Sequence, residues 1–99
     1  MAHLRVYKNA EGEGYLLDVQ ADLLNHLTTR VVVPLLPLDR APTPAKTLNP
    51  VFHIDGTACA MVTQFMAAVP TTILKSVVLS LESQRLEVTT ALDLLFHGF

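Results

Sequence analysis

The spacing of apolar and polar residues changes period along the chain, and each change marks an element. Across residues 83–99, SQRLEVTTALDLLFHGF, the apolar positions Val88, Ala91, Leu92, Leu95, Phe96 and Phe99 recur at spacings of three and four. That predicts one face of an amphipathic helix. Gln84, Arg85, Glu87, Thr90 and Asp93 fall mostly on the other side. Ser80 or Ser83 offers a hydroxyl to cap the start, and Gly98 sits just past the last full turn, where helices are released. Upstream the period is two. Residues 3–7 alternate, with Leu4 and Val6 facing one way and His3, Arg5 and Tyr7 the other, predicting a first strand. After a polar, glycine-bearing loop at 9–14, residues 15–20 resume as a strand and complete a hairpin. In residues 21–29 the adjacent Leu23 and Leu24 stand in a polar setting, which fits a turn that displays them or folds them inward.

Residues 30–36 are rich in β-branched side chains and predict a strand. Pro34, with no N–H to give to a ladder, confines it to an edge, a bulge or a strand end. Pro37, Pro42 and Pro44 mark 37–49 as an exposed, mobile loop. Asp55-Gly56, between strand patterns at 51–54 and 57–65, is the strongest hairpin signal. Residues 69–74 read as a short strand, and 75–81 as a strand or the approach to the helix. Together these predict a mainly β single domain over residues 1–99. Its expected form is a small, strongly bent sheet or partly closed barrel capped by one C-terminal helix.

Composition sharpens this picture. The chain has 99 residues, of which 51% are hydrophobic and 16% charged. So small a domain has limited interior for that much apolar surface, so a homodimer burying a shared face is expected. Phe96 and Phe99 point the same way, because chains fray at their ends and two aromatics there need burial by the fold or by a partner. The net charge of −2 argues against direct nucleic-acid binding, which needs a Lys/Arg-rich face. No run reaches the roughly eighteen apolar residues of a membrane span, and the N-terminal residues enter a strand pattern without a signal peptide's apolar core. Cys59 is alone, so no disulfide framework forms within the chain. The cytoplasm is the expected compartment, without membrane association.

Candidate chemistry is sparse. His3, His26, His53 and His97 are too dispersed for a local metal motif, and neither metal nor cofactor is expected. His53 reads as a packed or surface histidine. Cys59, mid-strand among Ala58, Ala60 and Met61, reads as buried and inert rather than nucleophilic. Glu11 and Glu13 flank Gly12 as solvated charge, and Asp18 and Asp22 belong to a strand end and a turn. Neither pair is expected to be anchored as an acid/base couple. Gly12 and Gly14 lie in an acidic turn that would repel phosphate. The residues therefore point to a non-enzymatic binding protein with an apolar C-terminal contact.

Several segments carry a more specific likeness: Asp18-Val-Gln20 followed by Asp22, Val33-Pro34-Leu35, Pro50-Val51 with His53-Ile54, Ala67 with Val69-Pro70, and the closing Phe96-x-Gly98. In order, spacing and terminus the chain resembles the CcdB family, toxins of toxin–antitoxin modules that poison bacterial DNA gyrase. The likeness spans nearly the whole length and is weakest over 37–49. It implies an SH3-like barrel of antiparallel strands with a long C-terminal helix, forming a twofold homodimer through the helix-bearing face. It further implies wedging into the dimer cleft of the gyrase A subunit, trapping of the cleaved-DNA state, and neutralisation by a disordered segment of a CcdA-like antitoxin. The family's gyrase-contacting positions fall on Leu23, Leu24, Asp93, Phe96, His97, Gly98 and Phe99.

Three of these depart from the family pattern: His97 for tryptophan, Phe99 for isoleucine and Asp93 for asparagine. Histidine offers roughly half the stacking face of tryptophan at an anchor position. Either Phe99 takes over the anchoring, or the protein keeps the fold and antitoxin binding but poisons gyrase weakly. A MazF-type endoribonuclease shares the barrel but would need a basic groove, which seven basic residues spread along the chain support poorly.

Overall fold

The computed structural model describes residues 3–98. Its strands are β1 (Arg5–Lys8), β2 (Tyr15–Asp18), β3 (Thr29–Pro37), β4 (Val51–Ile54), β5 (Thr57–Met61), β6 (Ala67–Pro70) and β7 (Val77–Ser80), followed by helix α1 (Arg85–His97). All pairings are antiparallel. The strand order is β4-β5-β3-β2-β1-β7, with β6 also paired to β3. The sheet curls into a half-barrel that carries the helix, as the alternating pattern predicts. None of the described helices is long and apolar enough to cross a membrane.

Period two becomes the core. Leu4, Val6, Leu17, Val33, Leu35, Phe52, Ile54 and Met61 turn inward and meet Val88 and Ala91 of α1, with Leu92 packed against them. β1 begins two residues later than the alternation predicts, because Leu4 adopts a left-handed backbone (φ 51°). Its side chain is still buried, and its carbonyl accepts the Leu81 N–H at 2.9 Å. Ser80 Oγ donates to His3 O at 2.7 Å and accepts the Glu82 N–H at 3.2 Å. That hydroxyl thus fixes the entry to the helix from a short 3-10 turn, Glu82–Gln84, while Gln84, at the N-cap of α1, makes no side-chain cap.

Pro34 is not on an edge strand. β3 is central, pairing with β2 on one side and with β6 (residues 29–32) and β5 (residues 35–37) on the other. Pro34 O accepts the Val62 N–H at 2.9 Å, so its backbone edge faces the gap where β6 gives way to β5. A missing N–H costs no ladder bond there. Asp55 (φ 51°) and Gly56 (φ 80°) form the predicted tight hairpin. The strand expected over 57–65 stops at Met61, and Thr63–Phe65 is a 3-10 turn. The strand expected over 69–74 lies earlier, at β6, and residues 75–81 resolve as β7.

The loop after β3 is exposed through Thr47, but its end is fixed rather than loose. Asn49 is buried, accepts the Ala45 N–H at 2.9 Å and donates to Met61 O at 3.0 Å and Gln64 Oε1 at 2.8 Å.

Candidate functional site

The predicted site residues occupy two elements. Leu23 and Leu24 lie on a 3-10 turn, Asp22–Leu24, between β2 and β3, and they are displayed: Leu23 is 84% and Leu24 42% exposed. Leu27, which the residue pattern does not single out, is 42% exposed beside them. Successive backbone bonds run through the segment, from Leu24 N–H to Ala21 O, Asn25 N–H to Asp22 O and Leu27 N–H to Leu24 O.

Asp93, Phe96 and His97 stand on the last turns of α1 and are exposed, Phe96 by 63%. This corrects the predicted apolar face. The stripe is buried only at Val88 and Ala91 and half-buried at Leu92, whereas Leu95 and Phe96 are exposed to solvent. Gly98 adopts φ 79° and its N–H returns to Leu94 O at 3.0 Å, closing the helix as expected. Phe99 lies outside the described residues. Within one chain the two groups are separate, since α1 packs on the Thr63–Phe65 turn and has no comparable packing on the Asp22–Leu24 turn.

Other apolar side chains escape the periodic reading. Leu86 is strongly exposed because it lies off the Val88–Ala91 stripe, and it edges a shallow groove with Thr47, Pro50 and Thr90. Phe65 is exposed on the turn that supports α1.

Beneath the leucine turn lies a polar cluster. Asp18, expected to be unanchored, is buried with Arg30. Arg30 Nη2 donates to Asp18 Oδ1 and to Gln20 O, each at 3.1 Å. Arg30 Nε lies 2.9 Å from Asp18 Oδ2, an ion pair whose angle does not make a hydrogen bond. Asp22 Oδ1 is 3.7 Å from Arg30 Nη2, and Asp22 Oδ2 is 2.5 Å from His3 Nε2. Both aspartates thus converge on one arginine. The cluster was not legible because Arg30 is separated from Asp18 in sequence and meets it only across the β2–β3 ladder. Glu13, expected to be solvated, pairs loosely with Arg40 at 3.3 Å.

Cys59 is fully buried, and burial pushes its thiol pKa up. Tyr15 is raised by burial first, then by the charges of Asp55 and Cys59. Among the described residues no His, Cys, Asp and Glu side chains converge to hold a metal ion. The arrangement offers apolar contact surface on a fixed frame. A family model described as CcdB protein matches residues 3–98.

Proposed function

The chain belongs to the CcdB family, which points to a toxin of a toxin–antitoxin system, and we propose that it acts by binding the gyrase A subunit. It traps the cleaved DNA–gyrase complex through Leu23, Leu24, Asp93, Phe96, His97, Gly98 and Phe99, and it does so by occupancy, without catalysing a reaction. A CcdA-like antitoxin neutralises it in the cytoplasm through a segment that orders on binding. The functional unit is a homodimer, which brings a second copy of each apolar group to the surface.

One observation carries this reading: the large apolar side chains at Leu23, on the turn after β2, and at Phe96, on the last turn of α1, stand in solvent. A stable fold has no use for them there, and partner contact does. The dispersed, low charge favours a protein partner over direct nucleic-acid contact.

His97 favours a second reading, a homologue that binds antitoxin but poisons poorly, because imidazole gives a smaller stacking face than indole. Purified protein with gyrase, supercoiled plasmid and ATP separates the two, alongside a His97→Trp variant. The expected result is stabilised cleavage by the native chain and more by the variant. Cleavage by the variant alone would assign the second reading, and cleavage by neither would contradict both gyrase readings.

A further inference from the structure

The Asp22–Leu24 turn has no buried residue and no side-chain cap of its own. A single 3-10 turn with both leucines in solvent has little reason to keep one shape. Its shape comes from the buried residues on either side. Gln20, at the near end, reaches across to the far end: its Nε2 donates to Leu24 O and Thr29 O, each at 3.2 Å, and its Oε1 accepts the Val31 N–H at 3.0 Å. Gln20 is itself held, its carbonyl by Arg30 Nη2 at 3.1 Å and its N–H by Asp18 Oδ1 at 3.1 Å. Arg30 also draws in Asp22, the first residue of the turn. Every strut ends on backbone or charge of the turn and its flanks, and none is spent on the exposed leucine side chains.

A buried ion pair is a poor source of stability compared with apolar residues of the same volume, and its distinctive contribution is to fix geometry. We propose that Gln20 and Arg30 are positioning residues that hold the Leu23–Leu24 turn in its displayed form before a partner arrives. Association then has less to order at that point, which raises affinity without any contact from Gln20 or Arg30. The effect on affinity rests on the reading of Leu23 and Leu24 as gyrase A contacts. The effect on the turn does not.

The test uses Gln20→Met, which keeps volume and removes the three side-chain hydrogen bonds. Asp22→Ala serves as a milder variant on a half-buried residue should the first fail to fold. Amide exchange is followed at Leu24 and Asn25, whose N–H groups close the turn, with α1 amides as the internal reference. Binding to purified gyrase A is measured on the same samples. In Gln20→Met, exchange at the turn is expected to rise about tenfold relative to α1, and gyrase affinity to fall by about tenfold. Rescue distinguishes positioning from a general loss of stability. Ala21 has φ −61° and ψ 137°, the backbone that proline itself prefers, so Ala21→Pro stiffens the entry to the turn. Added to Gln20→Met, it is expected to restore slow exchange and most of the affinity. Unchanged exchange at Leu24 and Asn25, or slow exchange regained without affinity, would overturn the proposal. Absence of gyrase binding by the native chain would instead fail the functional reading, and the exchange result would still decide whether Gln20 positions the turn.

Discussion

Leu17 and Leu23 are the same residue type with opposite fates: Leu17 is sealed against β3, and Leu23 stands in water. Leu17→Ala is expected to cost about 2–5 kcal/mol, the usual range for a buried leucine left as a cavity. Leu23→Ala is expected to stay within about 0.5 kcal/mol because it removes no packed neighbour. Urea unfolding of the two variants checks this, and equal losses would show that Leu23 is packed. Cys59 gives a second measure at this scale. Burial raises its folded-state pKa above the ordinary thiol value, so the stability due to its neutral thiol is complete below that ordinary value. It falls as pH rises through the raised value. At neutral pH, alkylation of Cys59 is expected to proceed only as fast as global unfolding exposes it, and rapid labelling of the folded protein would contradict its burial. The inward side of Leu4 and Val6 was legible because alternation encodes it locally, and the burial of Cys59 because its mid-strand neighbours Ala58, Ala60 and Met61 are apolar. The partnership of Arg30 with Asp18, Asp22 and Gln20 was not, because strand pairing creates it and no local period reports it.

At the scale of elements, the hairpin at Asp55-Gly56 and the helix ending at Gly98 were legible because glycine is the residue favoured where φ is positive. The limits of β5 and β6 were not, since 3-10 turns at Thr63–Phe65 and Thr71–Ile73 interrupt stretches whose composition reads as strand. Pro34 marked a real irregularity whose meaning depends on the neighbours: a strand that changes partners tolerates it as well as an edge does. Two glycines separate conformational from steric cost. A Cβ on Gly98 meets nothing within 4 Å, so Gly98→Ala is expected to cost about 1 kcal/mol for the left-handed backbone alone. A Cβ on Gly14 would sit 2.3 Å from Leu35 O and must push β2 off β3. Gly14→Ala is therefore expected to exceed the Gly98 loss by about 1–3 kcal/mol, with thermal or urea unfolding as the check. Equal losses would mean that the β1–β2 loop yields freely against β3.

For the whole molecule, the half-barrel explains why the apolar content does not end in one interior. A curled sheet with a single helix buries one layer of side chains, which takes in Val88, Ala91 and part of Leu92 and leaves Leu95 and Phe96 outside. The sequence pattern predicts their hydrophobic periodicity but not where burial along the helix stops, which is why the stripe was read one turn too long. The displayed leucines are held by a polar cluster, and the exposed aromatic by a helix closed at Gly98. The central claim is that these two groups, on fixed supports, are the surface that gyrase A recognises.

Calorimetric titration of purified gyrase A with the native chain, with Leu23→Ser and with Phe96→Ala tests that claim most directly. Native binding is expected, with each substitution weakening it by about 2 kcal/mol, roughly thirtyfold, while the unfolding midpoint stays near the native value. Binding that survives both substitutions unchanged, or no binding by the native chain, would contradict it.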